Sequence, residues 1–160
     1  MSGSIHVQPI AGALGAELSG VDLSEPLSDA QFSEIHQAFL THQVIFFRDQ
    51  SALTPDKQKA FAQRFGTLNV HPYVSGMPGH PELLEIIKEP HDKLNFGGGW
   101  HSDMSFQETP ALGSVLYALE VPPYGGDTLF ASQAAAYEAL SDGMKTLLEG
   151  LNAIHSARRE

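Results

Sequence analysis

The run GGGWHSDMSF, residues 97–106, decides how the rest of the chain is interpreted. Within it, His101 and Asp103 are separated by one residue, so on an extended segment their side chains would point to the same face. Imidazole and one carboxylate, joined by a second imidazole from elsewhere, form the facial triad of non-haem Fe(II) oxygenases, which leaves three iron positions open. The pattern therefore predicts a strand that supplies two ligands to one metal ion.

The His-x-Asp spacing taken alone is a weak indication of a metal site. Eight histidines in 160 residues make one such match unsurprising, and a histidine at a strand end is often hydrogen-bonded to its neighbours instead. A second triplet, His80-Pro81-Glu82, has a similar composition. Because its proline lacks a backbone N–H and the triplet follows the turn-rich residues 76–79, we expect a loop there.

The residues around His101 resemble the metal strand of the taurine dioxygenase family of Fe(II)/2-oxoglutarate-dependent oxygenases, which reads Trp-His-[Ser/Thr]-Asp followed shortly by Phe. In this chain the corresponding residues are Trp100 to Asp103, with Phe106 after them. Further blocks resemble the family in the same order: residues 15–23, 42–50, 61–66, 108–110, 125–129 and 136–141. Several blocks in order are more specific than one motif, and the resemblance extends over essentially the whole chain.

The resemblance implies an enzyme class, its cofactor and a fold. Such enzymes use Fe(II), with 2-oxoglutarate and O2 as co-substrates, to hydroxylate a small molecule and release succinate and CO2. Their fold is a double-stranded β-helix, or jelly roll, with flanking helices. We therefore expect the substrate to be a small organic acid such as a sulfonate, a sulfate ester or a related anion.

The resemblance also assigns roles to four residues besides the metal pair. Thr128, after Gly-Gly-Asp, matches the threonine whose hydroxyl contacts the distal carboxylate of 2-oxoglutarate; without the resemblance it is a β-branched strand residue. His71 and Tyr73 match residues that contact the sulfonate in taurine enzymes, and Phe106 matches an aromatic residue near the substrate. The alternatives are an exposed loop histidine and a core phenylalanine.

Two departures from the taurine enzymes concern the substrate. The position four residues before the first metal histidine holds an asparagine in those enzymes and is Gly97 here, inside a run of three glycines. Tyr73 follows His71 by two residues instead of the expected three. Because glycines let the backbone approach a ligand closely and remove a polar anchor, we expect a bulkier substrate than taurine.

The family's second metal histidine and its 2-oxoglutarate-binding arginine lie far downstream of His-x-Asp, in chains considerably longer than this one. We therefore expect residues 1–160 to be the N-terminal part of a single dioxygenase domain. His155, the only later histidine, and Arg158 and Arg159 are expected to be surface residues. The alternatives are a truncated non-catalytic fragment, or a small-molecule or metal-binding module without the third ligand; a cupin-like barrel that holds another metal is a further option.

Composition excludes several other classes of protein. Nine basic and nineteen acidic residues give a formal net charge of −10, which repels nucleic acid and anionic membrane surfaces. The chain has no cysteine, so disulfides, zinc-thiolate sites and thiol nucleophiles are excluded. The first residues do not resemble a secretory signal peptide. We expect a cytoplasmic protein without nucleic-acid or membrane partners, and self-association into a homo-oligomer if apolar faces stay uncovered.

The residue pattern itself supports an α+β class and no finer description. Ser28 to Gln31 match a capping box at the start of one helix, and Thr54-Pro55 match an N-cap and first-turn proline at the start of another, which Gly66 ends. We predict helices at residues 28–41, 54–66, 133–140 and 143–148. We predict strands at residues 5–9, 16–19, 43–47, 83–88, 100–106, 114–120 and 128–131.

Overall fold

The computed structural model describes residues 4–93 and 97–157. Its helices and strands follow one another as β1 (His6–Pro9), β2 (Ala16–Ser19), α1 (Asp29–His42), β3 (Ile45–Phe47), α2 (Pro55–Gln63), α3 (Gln133–Glu138) and α4 (Asp142–Leu148). The four predicted helices and the first three predicted strands are confirmed, with ends displaced by at most three residues. The prediction that Gly66 ends the second helix is wrong, because Arg64 is its C-cap. The predicted α+β class is therefore what the described residues show.

The three strands form one small mixed sheet with β2 in the centre. β1 pairs antiparallel with β2, placing His6 opposite Ser19, whereas β3 pairs parallel with β2, placing Ile45 opposite Ala16. The parallel pair requires a crossover connection, and α1 supplies it. Because it has a partner on each side, β2 is the strand whose apolar side chains are most deeply buried.

Helix α1 begins where its capping box indicates and ends one residue after the predicted end. The Ser28 hydroxyl accepts from the Gln31 backbone N–H at 3.3 Å, and the Gln31 side-chain oxygen accepts from the Ser28 backbone N–H at 3.0 Å, which completes the predicted capping box. At the other end, Gln43 adopts a positive φ of 65° and its N–H donates to the Phe39 carbonyl. The buried face of the helix consists of Ile35 and Ala38.

The hydrophobic core lies between the sheet, α1 and α2. Its buried members are Ala16, Leu18, Leu23, Ile35, Ala38, Leu53 and Phe61. Edge-to-face phenylalanine contacts extend the core: the ring of Phe61 lies 5.4 Å from that of Phe65 and 5.8 Å from that of Phe47. Helix α2 positions Phe61 because Thr54 caps its first turn, where the hydroxyl accepts from the Lys57 N–H at 3.4 Å.

The second half of the chain attaches to this core along residues 113–117. The Tyr117 hydroxyl donates to the Gln50 carbonyl at 3.1 Å, and the Gln58 side-chain amide donates to the Val115 carbonyl at 3.0 Å. Tyr117 is half-buried and packs against the core. These contacts hold the loops that follow residue 97 beside α2.

Four of the predicted strands are not formed in the described residues. The segments at residues 83–88, 100–106, 114–120 and 128–131 adopt turns and irregular backbone. A strand requires a neighbouring strand to pair its N–H and C=O groups, and no described segment pairs with any of the four. The strand predictions are therefore wrong for this structure, while the jelly roll stays a prediction.

Burial is distributed very unevenly along the chain. Every buried residue among those described lies between Gly15 and Phe61. Beyond residue 111, large apolar side chains are exposed, with Leu119 at 82% and Ile154 at 96%. Others in this uncovered apolar surface are Leu112, Leu116, Val121, Tyr124, Leu129, Leu147 and Leu151. None of the described helices is long and apolar enough to cross a bilayer.

Ile35 is fully buried, at 0% exposure, so we expect Ile35→Ala to lower the free energy of unfolding by about 2–5 kcal/mol. Leu119→Ala removes atoms that already contact solvent, and its effect should stay within about 0.5 kcal/mol. Urea unfolding followed by circular dichroism measures both. Equal effects of the two variants would contradict the placement of the core.

Candidate metal and co-substrate site

His101 lies in irregular backbone and Asp103 begins a turn, so neither lies in the predicted strand. Residues 103–106 are in turns, and the Gln107 N–H donates to the Met104 carbonyl at 3.0 Å, which closes the turn at residues 104–107. Met104 has a φ of 54°, in the left-handed region that few side chains adopt. The turn reverses the chain after Asp103, so the shared face expected from strand geometry is replaced by a local bend.

The bend nevertheless brings the two predicted metal ligands together. His101 Nε2 lies 3.3 Å from Asp103 Oδ1, and both side chains are more than half exposed. His101 Nδ1 lies 2.7 Å from the Gly99 carbonyl oxygen. A carbonyl only accepts, so Nδ1 carries the hydrogen and Nε2 is the nitrogen whose lone pair is available to a metal ion.

This geometry fits a divalent metal ion. Bonds from such an ion to imidazole nitrogen and carboxylate oxygen are about 2.0–2.2 Å, so two ligands at right angles are about 3 Å apart. The observed separation of 3.3 Å between Nε2 and Oδ1 is close to that value. Within residues 4–93 and 97–157, no group of three or more His, Asp or Glu residues gathers to hold a metal. The described part of the chain thus offers two candidate protein ligands.

Several neighbours hold the pair in place. The Ser114 hydroxyl donates to Asp103 Oδ2 at 3.4 Å, and the Gln133 side-chain amide donates to the Ser102 hydroxyl at 2.9 Å. Gly97 has a φ of 68°, and a Cβ at this position would lie 3.2 Å from Cε1 of His101. The glycine backbone therefore packs directly against the imidazole ring.

The three residues predicted to bind substrate lie in a row. The rings of His71 and Tyr73 have centroids 6.2 Å apart, and those of Tyr73 and Phe106 are 5.9 Å apart. Phe106 is half-buried and follows the metal-binding pair by only three residues. The structure therefore brings the predicted substrate residues together beside the turn that carries Asp103.

His71 is oriented by the backbone that follows it. Its Nδ1 accepts hydrogen bonds from the N–H groups of Tyr73 at 3.1 Å and Val74 at 3.0 Å. A ring nitrogen that accepts carries no hydrogen, so Nε2 carries the hydrogen and acts as a donor. His71 thus presents an N–H group, which suits an anionic ligand.

One residue to which the sequence analysis assigned no role in the site lies beside this row. His155 is exposed, as expected, but it lines an open groove together with Tyr73 and Phe106. A separation of more than eighty residues from Tyr73 gave no local pattern from which this proximity could be predicted. Arg158 and Arg159 lie outside the described residues.

Thr128 is exposed in irregular backbone before α3. Among the residues described, no hydrogen bond or ring contact joins it to His101 or Asp103, so its role in binding 2-oxoglutarate stays a prediction. The alternative triplet at His80 lies in a loop, as expected, because the His80 N–H donates to the Met77 carbonyl at 2.9 Å and closes a turn.

Comparison with known proteins identifies the family of the chain. The chain matches the family described as "Taurine catabolism dioxygenase TauD, TfdA family" over residues 6–160, and it belongs to that family. It is 38% identical, over 95% of its length and 50% of the relative's, to an alpha-ketoglutarate-dependent sulfate ester dioxygenase of Pseudomonas putida. It is 36% identical, over 95% of its length and 47% of the relative's, to an alkylsulfatase of Acinetobacter baylyi.

A solved structure gives the same result. A taurine dioxygenase from Burkholderia xenovorans superimposes with a TM-score of 0.77 and 36% identity, covering 92% of this chain and 52% of that one. The family prediction is confirmed, and with it the prediction of Fe(II) with 2-oxoglutarate (alpha-ketoglutarate) and O2 as the cofactor set of this family. The chain spans about half the length of the curated relatives it matches.

Removing either ligand should abolish specific metal binding, because one remaining side chain holds a divalent ion poorly. We expect His101→Ala and Asp103→Ala each to eliminate Co(II) binding measured by titration calorimetry. Their melting profiles should match the parent, since the core lies between Gly15 and Phe61. His91→Ala, in an exposed turn, is the matched control. Unchanged Co(II) affinity in either ligand variant would contradict the site.

Proposed function

We propose that this chain belongs to an Fe(II)/2-oxoglutarate-dependent dioxygenase that hydroxylates a small organic acid, with sulfate esters and the larger sulfonates as the favoured substrate class. The observation that carries the proposal is the convergence of His101 Nε2 and Asp103 Oδ1 to 3.3 Å in a chain of this family. The sulfate ester dioxygenase named above supports the choice of substrate class.

The metal centre supplies the oxidising power. Fe(II), when bound, couples the oxidative decarboxylation of 2-oxoglutarate by O2 to insertion of one oxygen atom into a substrate C–H bond, with succinate and CO2 as the other products. His101 and Asp103 contribute the Nε2 and Oδ1 atoms of its protein ligand set. The Gly99 carbonyl keeps the imidazole in the tautomer and orientation that this task requires.

The organic co-substrate needs a second anchor. 2-Oxoglutarate is a dianion, and the Thr128 hydroxyl can donate a hydrogen bond to the carboxylate that does not face the metal. Thr128 is accessible to such a ligand because its side chain is exposed. This assignment rests on the resemblance of the Gly-Gly-Asp-Thr segment to the family.

The aromatic row formed by His71, Tyr73 and Phe106 suits an anionic substrate that carries an apolar tail. His71 presents its Nε2 hydrogen, because its Nδ1 already accepts two backbone N–H groups. Tyr73 adds a hydroxyl donor, and Phe106 adds an apolar ring on the side of the metal-binding turn. A sulfate or sulfonate head at His71 would therefore leave the alkyl part of the molecule against the rings.

Gly97 bears on the size of the substrate. An asparagine at this position would have to adopt a φ of 68° and place its Cβ 3.2 Å from the His101 ring. The glycine lacks the polar anchor that taurine enzymes have there, and its backbone packs against the His101 ring. The missing anchor favours a substrate that does not rely on it, such as a longer alkyl sulfate or alkyl sulfonate.

Taurine should therefore be a poor substrate compared with a medium-chain alkyl sulfate or alkyl sulfonate. Succinate formation across a panel of these compounds, measured in the full-length protein supplied with Fe(II), 2-oxoglutarate and O2, ranks them directly. His101→Ala is the inactive control. Taurine ranking first by a wide margin would contradict the argument from Gly97.

Residues 1–160 by themselves should bind Co(II) weakly and show no coupled turnover, because two protein ligands hold a metal less firmly than three. The uncovered apolar surface beyond residue 111 should also make the isolated polypeptide self-associate. Light scattering after gel filtration measures the second expectation. A monomer that melts cooperatively and converts 2-oxoglutarate to succinate would overturn both, and would make His155 a candidate third ligand.

The alternative function is that of a non-catalytic binding fragment. Turnover in a longer protein distinguishes it from the dioxygenase. A reading frame that continues past residue 160 into a histidine closely followed by an arginine would complete the family's metal and 2-oxoglutarate ligands. Turnover in that longer protein, lost in Asp103→Ala, supports the dioxygenase. Normal succinate formation in Asp103→Ala would refute the assignment of Asp103 as a metal ligand, and absence of turnover in the longer protein would favour the non-catalytic alternative.

A further inference from the structure

A side-chain hydrogen bond joins two segments that are distant in sequence. One is residues 101–106, which carry His101 and Asp103 and are called the metal-binding turn below, and the other is the start of α3. The Gln133 side-chain amide donates to the Ser102 hydroxyl at 2.9 Å, across 31 residues of sequence. Ser102 is the residue between His101 and Asp103, and Gln133 is the first residue of α3. The cap of α3 fixes the backbone from which the Gln133 side chain extends.

The other hydrogen bonds of the turn reach less far along the chain. His101 bonds to a carbonyl two residues away, and Asp103 accepts from Ser114, eleven residues away, at 3.4 Å. Within the described residues, Gln133 thus supplies the hydrogen bond of longest sequence separation to residues 97–107, beside the ring contact of Phe106 with Tyr73. The turn has no strand partner, so such side-chain contacts are what position it.

Gln133 also lies close in sequence to the predicted anchor of 2-oxoglutarate. Thr128 precedes it by five residues, in irregular backbone that no sheet holds. A 2-oxoglutarate molecule with one end at the metal and its far carboxylate at Thr128 has a fixed length. The separation between the metal-binding turn and residues 128–132 must therefore match that length.

We propose that the Ser102–Gln133 hydrogen bond is a clasp that sets this separation, which makes Gln133 a positioning residue for 2-oxoglutarate. The inference rests on the function proposed above, because it assigns a role within the same site. This hydrogen bond joins two segments that no sequence pattern predicted to be in contact. Gln133 acts through Ser102 and touches neither the metal ligands nor Thr128 in the described contacts.

The first experiment measures the clasp without metal. The chain has no cysteine, so Glu108→Cys and Ala131→Cys, both at exposed positions, create a unique pair for spin labels. Pulsed electron resonance should give one narrow distance distribution in this labelled parent. Gln133→Ala and Ser102→Ala should each broaden it, and the double variant should be no broader than either single variant, since one bond is lost in all three.

Two controls separate the clasp from general loosening. Ser102→Thr keeps the hydroxyl and should restore the narrow distribution. Gln37→Ala removes a comparable exposed glutamine, whose amide donates to the Thr41 hydroxyl at 3.4 Å in α1, and should leave the distribution unchanged. Thermal melting of every variant should match the parent, because no buried residue is altered.

The second experiment measures binding of 2-oxoglutarate by the full-length protein in the presence of saturating Co(II). Loss of one hydrogen bond should weaken 2-oxoglutarate about two- to tenfold in Gln133→Ala and Ser102→Ala, with recovery in Ser102→Thr. Distances unchanged in both alanine variants would overturn the clasp alone. A full-length parent protein that binds no 2-oxoglutarate would overturn the positioning role together with the proposed function, whatever the distances show.

Discussion

The structure depends on the burial of β2 against α1. β2 is hydrogen-bonded on both sides, antiparallel to β1 and parallel to β3, and its Ala16 and Leu18 are at most 2% exposed. Ile35, from the crossover helix, is buried with them in the same cluster. Without this contact the parallel pair has no covering layer, and the segment that leads from β3 to α2 has no fixed starting direction. The positions of Gln50, Gln58 and the loops bonded to them follow from it.

Local chemistry made the first half of the fold predictable. The Ser28–Gln31 capping box and the Thr54 cap act within three residues, so the sequence carries them completely. The strands between residues 83 and 131 were predicted from residue type and were wrong, because a strand forms only when a second segment pairs with it. Pairing is a property of distant segments, which residue preferences do not encode.

The candidate site likewise combines local features that the sequence predicts with long-range contacts that it does not predict. The one-residue spacing of His101 and Asp103, together with the family resemblance of the residues around them, predicted that their side chains lie together, although the backbone that carries them is not a strand. The contact of Phe106 with Tyr73 and the bond from Gln133 to Ser102 span more than thirty residues. The family resemblance named three members of the aromatic row, but it could not supply His155 or the hydrogen bond of Gln133, since neither belongs to its motifs.

Because burial is confined to the first half of the described chain, that half can fold while the rest is still being synthesised. All the buried residues of the described chain lie between Gly15 and Phe61. Chains emerge from the ribosome N-terminus first, and segments with local contacts fold fastest. The sheet, α1 and α2 can therefore assemble while the metal-binding turn is still being made. The nascent chain would then present a finished surface on which residues 113–117 dock before His101 and Asp103 meet their ligand.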